Sequence, residues 1–180
     1  MAENKLLTEP LIVYPNQVLR TKALEITNFN KDLLSIAMGM VKVMYQHNGI
    51  GLAANQIGQL QRIIVVDVEP DPENPKGGKN PQIFINPVIV EHSTKLHPYE
   101  EGCLSFPEMR AIIERPNEVI IDYLDLKGEK QRLQAQGLLC TCLQHEIDHL
   151  NGVLFIDHLS KLKRDLLLRK YKKEQNLLKM

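Results

Sequence analysis

Apolar side chains recur at helical spacing between residues 138 and 150 and predict a helix there. They cover more than one face of that helix, which is typical of a helix buried on most sides. The apolar residues are Leu138, Leu139, Cys142, Leu143, Ile147 and Leu150. Asn151 and Gly152 follow, and both residue types accept the left-handed backbone that ends many helices.

Two more helices are predicted from the same spacing. Asn30 is a suitable N-cap for a helix over residues 30–47, which carries one apolar face. Ser160 can cap a last helix that continues to about residue 178. The first apolar face consists of Leu33, Ala37, Met40, Val41 and Met44, and the second of Leu159, Leu162, Leu166 and Tyr171.

Short strands are predicted between the helices, where β-branched or alternating residues are concentrated. The segments are residues 62–68, 82–90, 118–124 and about 130–134. Pro87 is expected to interrupt the second of them, since proline cannot donate a ladder hydrogen bond. Residues 10–20 are expected to form an extended lead-in with a turn at Pro15, and residues 69–81, with four prolines and two glycines, a surface loop.

The composition is that of an ordinary globular protein. Of the 180 residues, 43% are hydrophobic and 24% charged, and no repeat interrupts the chain, so we predict a single domain over residues 1–180. The formal net charge is zero and predicts no partner. The charge is uneven, however: residues 161–180 contain eight Lys or Arg and two acidic residues, a net charge of +6, so a basic helix is expected at about 160–180.

The ends and the cysteines bear on where the protein works. Glu3 and Glu9 flank only polar or short apolar sequence, so no secretory signal is predicted, and no apolar run reaches membrane-spanning length. The three cysteines, at 103, 140 and 142, fit a reducing compartment better than a disulfide framework. We therefore expect a cytoplasmic protein that does not bind membranes.

The helix of residues 138–150 also carries candidate metal chemistry. His145 and His149 lie four residues apart, so a helix places both imidazoles on one face, within reach of one divalent ion. Glu146 flanks that face and can reach a water on the ion without being a ligand. The alternative is that the two histidines only form hydrogen bonds within the core. Burying two imidazoles and a carboxylate in an apolar helix is costly, however, unless each finds a partner.

The third ligand decides the class of chemistry, and the residues alone leave it open. Cys103 is a strong soft ligand as a thiolate, and Asp157 is a candidate carboxylate. A metalloendopeptidase that uses Asp157 or Glu174 is the alternative enzyme. Two alternatives are not enzymes. One is a structural metal module whose ion is closed by a fourth protein ligand, and the other is an RNA-binding protein that uses the basic tail.

Small residues dominate the stretch 49–56, of sequence GIGLAANQ. The stretch lacks the third glycine and the preceding strand of a dinucleotide fingerprint, and it lacks a phosphate loop's lysine. A tight loop is one interpretation. The functional interpretation is a wall of small side chains along which a substrate backbone can lie, with Gln56 as an N–H donor.

Three segments together resemble the signature motifs of the peptide deformylases, in the family's order and spacing. They are residues 49–56 (GIGLAANQ), 101–105 (EGCLS) and 144–152 (QHEIDHLNG). The lead-in around Pro15, Leu19 and Arg20 is similar to that family as well. The resemblance implies an α+β fold in which antiparallel β-sheets surround a central metal-binding helix, with an N-terminal and a C-terminal helix.

The resemblance also implies a role for each matching residue. Cys103, His145 and His149 would hold the metal, and Glu146 would be the acid–base residue. The backbone N–H of Leu104 and the side chain of Gln56 would stabilise the oxyanion, Gly51 and Arg110 would hold the peptide, and Ile50 and Cys142 would line a methionine pocket.

The implied reaction is hydrolytic removal of the formyl group from N-formylmethionyl peptides emerging from the ribosome, with release of formate. The implied cofactor is one divalent ion, usually Fe²⁺ in this family, with Zn²⁺, Ni²⁺ or Co²⁺ also able to bind. The basic C-terminal helix is a candidate ribosome contact.

Overall fold

The computed structural model describes residues 11–68 and 80–177, which form three α-helices and seven β-strands. The helices are α1 (Lys31–Gln46), α2 (Gly137–Leu150) and α3 (Lys161–Leu177). The strands are β1 (Gly51–Ala53), β2 (Ile63–Val66), β3 (Gln82–His92), β4 (Leu96–Cys103), β5 (Phe106–Pro116), β6 (Glu118–Leu124) and β7 (Lys130–Gln136). Short 3-10 helices span Gln17–Arg20, Ala54–Ile57 and Phe155–His158. The α+β prediction is confirmed.

The strands form two antiparallel sheets. One has five strands in the order β1-β2-β3-β6-β7, and the other is the β4-β5 hairpin. Within β3 the register against β6 shifts between Ile85 and Val88, where Asn86 has a φ of 51°. Pro87 therefore lies in a β-bulge, which confirms the predicted interruption of the ladder, although β3 itself continues to His92.

The core explains why α2 lies in the middle of the molecule. All four residues of β2 are buried, so its two faces serve two cores. Ile64 and Val66 pack with Leu143 and Ile147 of α2. Residues on the other face pack with α1, while the hairpin, the segment Phe155–His158 and α3 share a third cluster. Helix α2 is consequently covered on most sides, as its sequence predicts.

The helix boundaries agree with the sequence. Asn30 caps α1 by accepting hydrogen bonds from the backbone N–H groups of Asp32 and Leu33. Gly152 adopts the left-handed backbone, with φ 74°, just after α2. Ser160 accepts a 3.4 Å hydrogen bond from the N–H of Lys163 at the start of α3.

The predicted apolar stripe of α3 is partly wrong. Leu162 and Leu166 are 71% and 55% exposed. Leu167, Leu168 and Tyr171 pack on the third cluster instead. These three are spaced i, i+1 and i+4, so they form a helical face that is turned away from Leu162.

Other predictions need smaller corrections. The extended lead-in ends at the 3-10 helix Gln17–Arg20, and the strand predicted over 62–68 is confined to Ile63–Val66. The β4-β5 hairpin was not predicted from the pattern. Residues 69–79 of the predicted surface loop lie outside the described residues. None of the helices in the described ranges combines the length and the apolar character needed to cross a bilayer.

Candidate metal centre and its cavity

Three ligand atoms from two elements converge at one point. His145 and His149 lie on one face of α2, with their ring centroids 5.0 Å apart. Cys103 lies at the end of β4, and its Sγ is 3.2 Å from Nε2 of His149. The ligand atoms of the three residues all lie within 4.8 Å of one another. One thiolate and two imidazoles are a donor set that suits a divalent transition metal.

The residue between the two histidines adds an observation that fits an ion and a water here. Oε2 of Glu146 is buried and has no hydrogen-bond partner among the described residues. Burial raises the pKa of the Glu146 carboxyl to about 7. A carboxyl with that pKa exchanges a proton readily near neutrality, which is what acid–base catalysis requires.

A buried carboxylate orients one of the imidazoles. Nδ1 of His145 lies 2.8 Å from Oε2 of Glu101, so Nε2 is the nitrogen left for the metal. Burial alone would raise the pKa of Glu101, but the hydrogen bonds from His145 and Arg115 lower it to about 2. Glu101 is therefore an anion at neutral pH and accepts both hydrogen bonds.

Gln56 is held so that its amide nitrogen faces the same point. Its Oε1 accepts a 2.8 Å hydrogen bond from the N–H of Ala53, which fixes the orientation of the amide. Its Nε2 donates to Oγ of Ser105 at 3.1 Å and lies 3.7 Å from Sγ of Cys103. This N–H group is therefore positioned beside the three ligand atoms.

The segment 49–57 approaches α2 closely because one of its residues has no side chain. A Cβ atom built on Gly51 would lie 2.5 Å from Oε1 of Glu146 and 2.6 Å from Sγ of Cys142. Nδ2 of Asn55 also donates to the backbone carbonyl of His149 at 2.5 Å. The tight-loop interpretation of this stretch is wrong, since it forms β1 and the 3-10 helix Ala54–Ile57.

A cavity of about 920 Å³ opens beside the three ligand atoms. That volume lies within the range of small-ligand sites. Every predicted site residue except His149 lines it, and His149 is buried behind Cys103. The lining includes Ile50, Gly51, Gln56, Cys103, Leu104, Arg110, Cys142, His145 and Glu146. Burial raises the pKa of the Cys142 thiol, so Cys142 is a neutral wall of the cavity.

The carboxylates proposed for an endopeptidase lie elsewhere. Asp157 is paired with Arg20 and accepts a 2.8 Å hydrogen bond from the N–H of Leu154. Glu174 lies on α3, 3.8 Å from Nζ of Lys170. Over residues 11–68 and 80–177, the group of potential ligands that includes the two histidines has Cys103 as its third member and no fourth. The endopeptidase alternative, which needs one of these carboxylates as its third ligand, is therefore not supported.

Three polar residues at the site were missed by sequence reasoning. Arg115 pairs with Glu101, and its Nη1 donates to Asp148 at 2.7 Å. Glu101 lies inside a recognised motif, where its place two residues before Cys103 was the available signal. Arg115 gives no such signal, because its partners are 14 and 33 residues away along the chain.

Comparison with known proteins agrees with this geometry. The polypeptide deformylase family matches residues 8–165 of the chain. Peptide deformylase of Brucella suis is 50% identical over 165 residues, which are 92% of this chain and 92% of that protein.

Solved structures show the same fold. The crystal structure of peptide deformylase from Ehrlichia chaffeensis has a TM-score of 0.86 at 36% identity, covering 94% of this chain and 98% of that one. The structure of a class I type b peptide deformylase from Acinetobacter baumannii, with Met-Ala-Ser bound, has a TM-score of 0.79 at 34% identity, covering 86% and 99% of the two chains. The chain belongs to the polypeptide deformylases, the metal-dependent hydrolases that remove the N-terminal formyl group from formyl-methionyl peptides.

Proposed function

We propose that Cys103, His145 and His149 hold the single divalent ion of this hydrolase, and that the ion is Fe²⁺ in the working enzyme. The observation that carries the proposal is the convergence of the three ligand atoms within 4.8 Å, at the wall of the cavity. The choice of iron follows the family resemblance, and the same donors can also bind Zn²⁺, Ni²⁺ or Co²⁺. When bound, the ion supplies Lewis-acid chemistry, polarising the formyl oxygen and acidifying a water molecule.

Glu146 moves the proton in this proposal. Its carboxylate takes a proton from the water that attacks the formyl carbon, and later gives that proton to the leaving nitrogen of the peptide. The pKa of about 7 suits both steps, because the group is neither too weak a base nor too weak an acid. The products are formate and a peptide with a free amino terminus.

Gln56 and Leu104 stabilise the charge that develops on the formyl oxygen. Nε2 of Gln56 is already oriented by the bond from Ala53 to its other amide atom, so little reorganisation is needed during the reaction. The backbone N–H of Leu104, directly after Cys103, is the second donor. A formyl group carries only hydrogen on its far side, so a narrow site beside these donors admits it and excludes larger acyl groups.

The cavity walls bind the peptide. Gly51 lets the substrate backbone lie close, Arg110 holds the peptide, and Ile50 and Cys142 line the methionine pocket. Met-Ala-Ser bound to the Acinetobacter relative supports a peptide that begins with methionine as the ligand of this site too.

We also propose that the chain acts in the cytoplasm as one catalytic domain, and that its basic C-terminal helix contacts the ribosome. On α3, Tyr171 is buried and its hydroxyl donates to the carbonyl of Tyr14 at 2.8 Å, while Arg169 and the lysines of the helix are exposed. A ribosome contact predicts that binding weakens steeply with added salt.

The experiment is formate release from formyl-Met-Ala-Ser by anaerobically purified protein, with metal analysis of the same sample. We expect turnover with about one ion per chain, and none with acetyl-Met-Ala-Ser. Hydrolysis of casein without formate release would contradict the proposal. Iron-loaded protein that keeps full activity for days in air would contradict the assignment of Fe²⁺.

A further inference from the structure

A chain of hydrogen-bonded side chains leads from the metal-facing His145 to the protein surface. We infer that the outer two members of this chain, Asp148 and His158, are positioning residues for the metal centre. The inference rests on the proposed ligand set of Cys103, His145 and His149. It concerns residues that are outside the group of candidate ligands and do not line the cavity.

The inner part of this chain of side chains, from His145 through Glu101 to Arg115, is buried. Glu101 accepts from Nδ1 of His145 at 2.8 Å, and from Nε and Nη2 of Arg115 at 2.5 and 3.1 Å. The side chains of Glu101 and Arg115 are only 3% and 5% exposed. One carboxylate therefore binds both the imidazole and a bidentate guanidinium, with Oε2 shared between them, and neither partner can rotate without breaking a buried hydrogen bond.

The outer part continues from the same guanidinium. Nη1 of Arg115 donates to Oδ2 of Asp148 at 2.7 Å, and Nε2 of His158 donates to that same oxygen at 2.7 Å. The side chains of Asp148 and His158 are 22% and 35% exposed. This chain of side chains therefore ends at the surface, on the 3-10 helix Phe155–His158, after it has crossed from β4 to β5 and then to α2.

This path matters because the ligands come from two separate elements. Cys103 lies on the β4-β5 hairpin, whereas both histidines lie on α2. Arg115, on the hairpin, binds Glu101 of the hairpin on one side and Asp148 of α2 on the other. The Arg115–Asp148 pair therefore bridges the element that carries the sulfur and the element that carries the imidazoles.

Removing either outer residue should loosen this bridge without removing a ligand. If Asp148 loses its charge, Arg115 keeps one carboxylate and the link between hairpin and helix weakens. If His158 is removed, Asp148 loses one of the two donors that hold its Oδ2 in place. The distance between sulfur and imidazoles then varies more, and the ion is held less tightly. Loss of a direct hydrogen-bonded partner of a ligand costs about tenfold or more, so these residues further out should cost up to about tenfold.

The test compares Asp148→Asn and His158→Ala with two controls in cobalt-loaded enzyme. Asp122→Asn breaks an Asp–Arg pair on the five-stranded sheet, where Arg132 donates to Asp122 at 2.6 Å in an exposed position. His158→Gln keeps an amide N–H near the position of the imidazole nitrogen. The measurements are the rate of cobalt loss to a chelator, the visible cobalt spectrum, kcat, KM and Tm.

We expect Asp148→Asn and His158→Ala to lose cobalt about tenfold faster than the wild type, with an altered visible spectrum and a lower kcat at an unchanged KM. Asp122→Asn should match the wild type, and His158→Gln should restore most of the metal retention. A lower Tm with wild-type cobalt loss and spectrum in both variants would show a structural role only and overturn the inference. If Asp148→Asn does not fold, the cobalt loss and spectrum of His158→Ala alone test the positioning role.

The outcome also separates this inference from the proposed function. Wild-type protein that binds no cobalt, or that releases no formate when metal is bound, refutes the ligand set or the reaction itself. If the wild-type protein is active and the Asp148 and His158 variants match it in cobalt loss, spectrum and kcat, only the positioning role is refuted.

Discussion

Replacing Gly51 with alanine should remove most of the activity while leaving the fold intact. The added methyl carbon would lie 2.5 Å from Oε1 of Glu146, and ordinary contact begins near 3.4 Å. The backbone at Gly51 lies outside the left-handed region, so the conflict is steric and not conformational. The carboxylate of Glu146 must move, and so must the thiol of Cys142, whose Sγ would lie 2.6 Å from the added carbon, because both are the far ends of side chains.

The magnitude follows from that displacement. Moving Oε1 from 2.5 Å to 3.4 Å is a retreat of about 0.9 Å, and a catalytic group displaced by roughly 1 Å can cost about a hundredfold in rate. Extra volume in a packed interior costs about 1–3 kcal/mol of stability. We therefore expect kcat to fall on the order of a hundredfold in a protein that still folds.

Formate release from formyl-Met-Ala-Ser over a range of substrate concentrations separates the two ways in which the methyl group could act. Displacing Glu146 lowers kcat, whereas crowding the peptide raises KM. Gly102→Ala is the control for a methyl group added elsewhere in the same cavity, since a Cβ there meets its nearest atom, Cγ of Arg110, at 3.6 Å, an ordinary contact. Tm and metal content exclude unfolding or metal loss as the cause.

One result would refute the reasoning about Gly51. If Gly51→Ala retains kcat within threefold of the wild type, with its metal bound, then either the carboxylate does not need its present position or it is not the acid–base residue. A wild-type kcat with a raised KM would leave Gly51 as a substrate contact and remove its role in placing Glu146.

Three further predictions concern single residues. Glu146→Ala should keep its metal but lose on the order of a thousandfold in kcat, and near-normal turnover would contradict the acid–base role. Cys103→Ser should lose metal on dialysis, and unchanged occupancy would argue against thiolate ligation. For Asp157, burial acts to raise the pKa, but the hydrogen bonds from Arg20 and the N–H of Leu154, together with the charges of Arg20 and Arg164, outweigh it and the pKa is lowered, so the carboxylate contributes stability at neutral pH. That contribution should be lost as the pH falls from the pKa of Asp157 in the unfolded state through its lower pKa in the folded state. It is about 1 kcal/mol or less because Arg20 is partly exposed. Asp157→Asn should therefore be less stable than the wild type at pH 7 and equal to it at the acid end, as urea unfolding at several pH values can show; a constant difference would exclude this linkage.

The sequence predicts the three candidate ligands better than it predicts the residues that support them. His145 and His149 are four residues apart on one helix, so local geometry alone brings them together. Cys103 is located through its motif, because 42 residues separate it from His145 and no periodicity relates them. Arg115 belongs to no pattern of that kind, and although Asp148 lies inside the motif of residues 144–152, its pairing with Arg115 follows only from the packing of the hairpin against α2.

The same distinction explains which elements were predicted. Helices α1 and α2 and strand β6 have apolar residues at the period of their own geometry. Strand β4 was missed because its residues 96–100 are all exposed, so no apolar alternation exists there. For α3, leucines occur at 162, 166, 167 and 168, on more than one face, and only the aromatic cluster around Phe106 and Phe155 selects which face is buried.

The position of the metal site follows from the register of α2 in the core. Leu143, Ile147 and Leu150 pack against the five-stranded sheet, and the helical period places His145 and His149 on roughly the opposite side, toward the hairpin. A rotation of the helix by one residue, about 100°, would turn the apolar side chains off the sheet and the imidazoles away from Cys103 together. The burial that stabilises the fold therefore also selects the one rotation of α2 in which sulfur and imidazoles meet. A substitution in the sheet beneath α2 that rotated the helix would move the imidazoles relative to Cys103.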